Sequence, residues 1–293
     1  MSAAIPILNA SGCLDALTAP DVARSLDAFV TKTVTPLPRE GNPPPRIAET
    51  EHWMLNSIGL QNPGIEAWVD DVYPRLRELG VRLWVSVGGF SASDYALVCE
   101  RLDELGDVEV LELNLSCPNV DEAPETASEL VGASRAATRK PLYAKLSPAT
   151  SNIAEAARAV AAAGVDGLSL VNTLRGLALD PGTLRPCLAL GAGGASGPAL
   201  KPIALASIYA CSSAVDLPIV GMGGVTSGRD AADLVAAGAS ALALGTVLFS
   251  DPAAPRRVRD ELDAEAASRG YASAAEIRGV AHQSASPAVL SAG

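Results

Sequence analysis

The sequence predicts an α/β fold, a (β/α)8 TIM barrel with insertions at the C-terminal face of its strands. Three observations predict it. Eight short apolar runs alternate with longer Ala-rich amphipathic stretches. The runs are almost continuously apolar, as in VEVLELNL at 108–115 and PIVGM at 218–222, the pattern of parallel strands buried on both faces. The 293 residues also accommodate a barrel of about 250 with a modest surplus. A doubly wound open sheet competes, but it wants a glycine fingerprint after its first strand, where this chain has Asn9-Ala10-Ser11-Gly12.

In chain order, strands are expected at 5–10, 29–33, 82–87, 108–115, 142–146, 167–172, 218–222 and 241–245. Helices are expected at 65–79, 92–105, 151–163, 200–215, 228–237 and 253–269, with another directly after Pro124. Gly80, Gly106, Gly164 and Gly238 stand where four of these patterns stop. The surplus falls in a Pro-rich insertion at 36–45, leading into 53–59, and in a second at 174–198. Neither reads as a separate domain. One domain is expected over 1–280, followed by a polar, frayed tail at 281–293.

Composition removes several function classes. The net charge of -11 makes the chain a poor partner for nucleic acid or anionic lipid. The apolar run at 234–249 is broken by Gly238 and Gly245 and is too short to span a membrane. Residues 1–12 lack the basic stretch and apolar core of a secretory leader, so a cytoplasmic protein is expected. The cysteines Cys13, Cys99, Cys117, Cys187 and Cys211 form no CxxC pair, which speaks against a disulfide framework or a zinc site. With His52 and His282 the only histidines, no metal centre is expected.

In a barrel, the chemistry sits at the C-terminal strand ends. Those ends carry Ser11, Lys32, Ser86, Asn114 to Cys117, Lys145, Asn172-Thr173, Gly223-Gly224 and Gly245-Thr246. Loop starts are polar everywhere, which accounts for the serines and glycines. It accounts poorly for Lys32, Lys145, Asn114 and Asn172, which precede the loops. The chain has only four lysines, and two of them lie in strand-like surroundings. The last two ends are glycine turns, the first running into a helix, and together they suggest a phosphate site. GAGGASG at 191–197 follows no clear strand and is not read as a dinucleotide fingerprint. The segment NLSCPN at 114–119 brings two carboxamides and a thiol to one turn. Carboxamides suit a planar amide or imide ligand, and without an adjacent histidine or carboxylate the thiol suits a base role better than covalent catalysis. The other four cysteines read as small buried hydrophobes.

These residues bring a family into view. The chain resembles the class 1 dihydroorotate dehydrogenases, most closely the NAD-linked class 1B catalytic subunit. The resemblance rests on NASG at 9–12, TKTVTPLPREGNPPPR at 31–46, MLNSIGLQNPG at 54–64, ELNLSCPN at 112–119 and AKLSP at 144–148. It continues through VNTLRGLALD at 171–180, GGASGPALKPIAL at 193–205, GMGG at 221–224 and AGASALALGT at 237–246. It therefore covers nearly the whole chain in family order.

The resemblance implies an FMN-binding barrel that oxidises dihydroorotate to orotate in pyrimidine biosynthesis. It implies flavin contacts from Ser11, Lys32, Thr33, Ser86, Asn114, Lys145, Val171 and Gly197, and phosphate contacts from Gly223, Gly224, Gly245 and Thr246. Substrate contacts fall to Lys32, Asn56, Ser57, Ile58, Gly59, Leu60, Asn114, Asn119, Asn172 and Thr173. Cys117 is the implied base. A homodimer is implied, with a separate iron–sulfur/FAD subunit carrying electrons to NAD. Two departures stand out. Ser86 occupies a position where the family usually has asparagine. The loop after Asn119 is also shorter than the family's and lacks its glycine-rich stretch. A related enzyme of dihydrouracil-like substrates and a non-catalytic flavin-binding barrel are the competing expectations.

Overall fold

The computed structural model describes residues 4–115 and 126–283. Its barrel strands are β1 (Ile7–Asn9), β2 (Phe29–Val30), β5 (Leu83–Val87), β6 (Val108–Asn114), β7 (Leu142–Leu146), β8 (Gly167–Leu170), β11 (Ile219–Met222) and β12 (Ala241–Leu244). Four further strands, β3 (Ile47–Glu49), β4 (Met54–Asn56), β9 (Leu174–Gly176) and β10 (Gly193–Ser196), lie in the two insertions. The barrel sheet is parallel throughout, in the order β1-β12-β11-β8-β7-β6-β5-β2. Its two ends meet through a bridge between Leu8 and Ala28.

A side chain completes that closure. Asn9 is fully buried; its Nδ2 donates to the Val30 carbonyl and its Oδ1 accepts from the Val30 N–H, both at 2.8 Å. A carboxamide carries one donor and one acceptor on a planar group. It therefore supplies the rung that the short β2 cannot.

Helices cover the outside, and the main core fills the space between them and the strands. They follow the expected order, with ends moved by one or two residues: Ala92–Asp103, Ile153–Ala163, Lys201–Ala214, Gly228–Ala236 and Ala254–Ser268. The helix after Pro124 is Ala127–Ala137, started by a capping box between Thr126 and Glu129. The single helix expected at 65–79 is interrupted by a π-helical stretch at Trp68–Val72. Pro74, which has no N–H to donate, stands two residues after it. Strand expectations at 29–33 and 167–172 run two or three residues long. Beyond the strand ends, Thr31, Val171 and Asn172 still donate backbone N–H groups to neighbouring strands, and the side chains of Thr33 and Asn172 bond at the rim.

Sequence reading placed no sheet in the insertions. They fold together as an antiparallel sheet in the order β3-β4-β10-β9. Met54 pairs with Ser196, Leu55 with Ala195 and Asn56 with Gly194. The glycines in GAGGASG serve this pairing. A Cβ on Gly193 would stand 2.6 Å from the Asn56 carbonyl oxygen, and one on Gly194 would stand 2.2 Å from Thr173 Oγ1.

At the far end, the turn Val280–His282 remains packed past residue 280. The His282 ring stacks on Tyr209 at 4.1 Å, and its Nε2 lies 3.0 Å from the Ala237 carbonyl oxygen. No helix among the described residues is long and apolar enough to cross a membrane.

Candidate active site

Alternation along each strand divides the barrel interior into two levels. The lower level is apolar and aromatic: Leu8, Ala28, Val30, Val220, Met222 and Ala243, joined by Trp84 and Tyr143 with ring centroids 4.9 Å apart. Two residues further along the same strands the interior turns polar. Ser86 follows Trp84, Glu112 and Asn114 follow Val110, and Lys145 follows Tyr143. Asn114, Lys145 and Ser169 are neighbours in register across β6, β7 and β8.

The upper level is a continuous hydrogen-bonded rim. Ser86 Oγ and Thr33 Oγ1 are 3.0 Å apart. Asn114 Nδ2 donates to Thr33 Oγ1 at 3.3 Å, and Asn172 Nδ2 donates to Asn114 Oδ1 at 3.1 Å. Asn172 Oδ1 in turn accepts from the Thr173 N–H at 2.8 Å. Ser86 is fully buried, and what it holds is Thr33. The shorter side chain at this family position therefore acts within the protein, from below the rim.

Lys145 is buried, and its Nζ reaches Ser11 Oγ at 2.8 Å and Glu112 Oε1 at 3.4 Å. Lys32 lies alongside: its Nζ is 3.2 Å from where a Cβ on Gly12 would stand. Burial and the Lys145 charge together push the Lys32 ammonium below the usual lysine range. The Cys13 thiol, close to both lysines, is pushed up to about 11 by burial. Cys99 and Cys211 are fully buried and pushed up to about 12. Cys99 and Cys211 are the small buried hydrophobes expected, whereas Cys13 and Cys187 are only partly buried.

The loop 57–60 follows directly from β4. Every one of its carbonyls is turned away and used. Ser57 O accepts from Asn42 Nδ2 at 3.2 Å, and Ile58 O from the Asn42 N–H at 3.0 Å. Gly59 O accepts from Arg39 Nε at 3.3 Å, and Leu60 O from Asn62 Nδ2 at 2.7 Å. The N–H groups of Ile58, Gly59 and Leu60 have no hydrogen-bond partner among the described residues. Gly59 and Leu60 both have positive φ, 76° and 55°, so consecutive N–H groups form an anion-binding concavity. A side chain at Gly59 would strike Asn42, 2.4 Å from its Oδ1. Asn56 Nδ2 donates to Gly194 O at 3.3 Å, fixing this loop to the insertion sheet beside Thr173.

The N-terminus of helix Gly228–Ala236 was expected to add partial positive charge beside the glycine turns; most of the N–H groups there are bonded within the protein. Asp230 accepts from the N–H groups of Thr226 and Ser227 at 2.9 and 3.0 Å, Ser227 Oγ from that of Asp230, and Glu261 from that of Gly228 at 2.6 Å. Among the described residues, the N–H groups of Gly224, Gly245 and Thr246 have no hydrogen-bond partner. Gly197 lies within the same neighbourhood: the 3-10 turn Pro198–Leu200 that follows it packs against Gly224. Val171 is buried, its N–H donating to Met222 O at 3.1 Å.

Cys117 and Asn119 lie outside the described residues, as does the short loop that follows them. Two interior residues passed unremarked in the sequence. Glu112 is 1% exposed. Ser169 is fully buried, with a hydroxyl that has no partner among the described residues. A charged residue inside VEVLELNL was the available signal for the first.

Residues 3–265 match the family model described as Dihydroorotate dehydrogenase. The chain belongs to the dihydroorotate dehydrogenase family. Among its relatives, a protein of Halalkalibacterium halodurans is 42% identical over 286 residues, covering 94% of this chain and 93% of the relative. One of a Geobacillus species is 44% identical over 258 residues, covering 84% and 82%. Both are named dihydroorotate dehydrogenase B (NAD(+)), catalytic subunit. Among solved structures, DHODH of Eimeria tenella in complex with ferulenol superposes with a TM-score of 0.80 at 23% identity. It covers 95% of this chain and 86% of that one, a likeness of fold.

Proposed function

We propose that this member of the dihydroorotate dehydrogenase family oxidises dihydroorotate to orotate in cytoplasmic pyrimidine biosynthesis, with FMN as its bound flavin. The observation that carries this reading is a pair of polar features. Asn114 and Asn172 form a carboxamide rim, and Ile58, Gly59 and Leu60 carry N–H groups that are unpartnered among the described residues, tied to the rim's neighbour Thr173 through Asn56 and Gly194. One matches a cyclic imide and the other a carboxylate, the two recognition elements of dihydroorotate.

The residues also suit FMN. Gly224, Gly245 and Thr246 leave N–H groups for its phosphate, with Gly223 and Gly197 shaping the turn. Ser11, Lys32, Thr33, Asn114, Lys145 and Val171 would line its ring, with Ser86 behind Thr33. The Lys145 ammonium would favour the anionic reduced ring. When bound, FMN supplies the hydride acceptor for C6 of the substrate.

The chain's own residues do the rest. Lys32 and the N–H groups of residues 58–60 hold the carboxylate. Asn56, Asn114, Asn119, Asn172, Thr173 and the backbone at Ser57 orient the ring. Cys117 removes the C5 proton, which requires the thiolate at the moment of transfer. Turnover therefore rises with pH toward the ordinary thiol range of about 8.5. Cys117→Ala should keep the protein yellow and slow flavin reduction by dihydroorotate by about 100-fold or more in anaerobic stopped flow. Undiminished reduction in that variant would sink the base assignment.

The relatives' designation as catalytic subunits supports a partner. We assign the role to an iron–sulfur/FAD subunit that passes electrons to NAD, joined to a homodimer of this chain. Reoxidation of the reduced chain with NAD, fumarate and quinone in turn, with and without that subunit, tests the assignment.

A further inference from the structure

Glu112 is the least explained residue of the barrel interior. It sits in β6, 1% exposed, with Oε1 3.4 Å from Lys145 Nζ. Among the described residues, the titratable groups around Lys145 are Glu112 itself, Lys32, Cys13 and, two residues earlier on β7, Tyr143. Lys32 adds positive charge rather than offsetting it. The buried thiol of Cys13 and the phenol of Tyr143 are both pushed up and stay neutral near pH 7. Glu112 thus supplies the negative charge facing Lys145 among the described residues. A buried ammonium that loses its counter-charge gives up its proton rather than stay charged in a poorly solvating interior.

We propose that Glu112 is a positioning residue that keeps Lys145 protonated and fixed at the mouth of the barrel, so that its charge is available to the flavin. The proposal rests on the reading of Lys145 as a flavin contact. It concerns the proton on Nζ and assigns Glu112 no contact with substrate.

The test is the midpoint potential of FMN bound to the full chain, in the wild type, Glu112→Gln, Lys145→Met and the double variant. At pH 8, Glu112→Gln should disfavour flavin reduction at least tenfold, about 30 mV for a two-electron couple. At pH 6, where Lys145 regains its proton, the potential should return toward wild type. In the Lys145→Met background Glu112→Gln should add nothing. A Glu112→Gln potential that matches wild type at both pH values, rises, or shifts equally in both backgrounds overturns the proposal. Should the glutamine variant fail to fold, Glu112→Asp keeps the charge at a longer reach and should give a smaller fall of the same sign.

Lys145→Met alone checks the underlying reading: unchanged FMN affinity and potential would refute Lys145 as a flavin contact. Glu112 is then judged on the flavin-free protein. With four lysines in the chain, the Cε resonance of Lys145 can be assigned by its loss in Lys145→Met and titrated directly. Its midpoint should fall to between pH 6 and pH 8 in Glu112→Gln, as the potentials require, and an unmoved midpoint overturns the proposal.

Discussion

The two levels of the barrel interior are built on the same strands and differ in almost every physical respect. On β7, Tyr143 and Lys145 are two residues apart and point the same way. On β5, Trp84 and Ser86 have the same relation. Below, rings and aliphatic groups meet with little directional demand. Above, Lys145, Glu112, Asn114, Thr33 and Asn172 each have named hydrogen-bond partners. The difference shows how a barrel separates stability from chemistry without separating domains. One pleat of a strand belongs to the core and the next to the site.

That division can be broken most sharply at Lys145. Lys145→Met should slow flavin reduction by dihydroorotate at least 100-fold, about 2.7 kcal/mol in the barrier. The lower-level change Trp84→Phe should keep the rate within about threefold, since a core substitution of similar shape leaves the upper groups in place. Comparable losses from both would mean that the levels are not independent.

Asn9→Ala attacks the closure that both levels share. It leaves the N–H and C=O of Val30 without their partners and should cost about 2–4 kcal/mol in urea unfolding, each stranded buried group costing about 1–3 kcal/mol. A loss below about 1 kcal/mol would show that the Leu8–Ala28 bridge closes the barrel unaided.

A smaller effect belongs to the glycine turns, where the same contrast appears on the outside. Burial works against the Asp230 carboxylate, but hydrogen bonds from Lys201, Thr226 and Ser227 outweigh it and hold its pKa at about 2. A folded value below the unfolded 3.8 contributes stability that is fully present above pH 4 and lost as pH falls toward 2. Asp230→Asn should flatten that acid limb in thermal melts without changing FMN affinity. Weakened FMN binding would return this helix end to the phosphate site. Smallest of all, Tyr143→Phe should change stability by less than about 0.5 kcal/mol, since its hydroxyl makes no hydrogen bond among the described residues.

Much of this was legible in the chain. Strands buried on both faces declare themselves as unbroken apolar runs, and β7 was placed to the residue. Lys32, Lys145, Asn114 and Asn172 were legible because large polar groups are out of place before a loop begins. The insertion sheet was not. Its strands are three or four residues long and partly glycine, and its two hairpins are joined by a β4–β10 pairing some 140 positions apart, so no local period marks them. The self-capped helix could have been read: Ser227 and Asp230 have the spacing of a capping box, which spends the N–H groups that a phosphate would need. Glu112 was hidden by its neighbours, whose pattern favoured a plain core strand.

The pairing of β4 with β10 has a consequence for how such a protein can change over time. Each stretch supplies half of one canopy, so neither can drift alone. An exchange of residues 47–56 with a relative would have to carry 174–196 along with it. Recombination that cuts between them should yield a properly closed cylinder that has lost its roof.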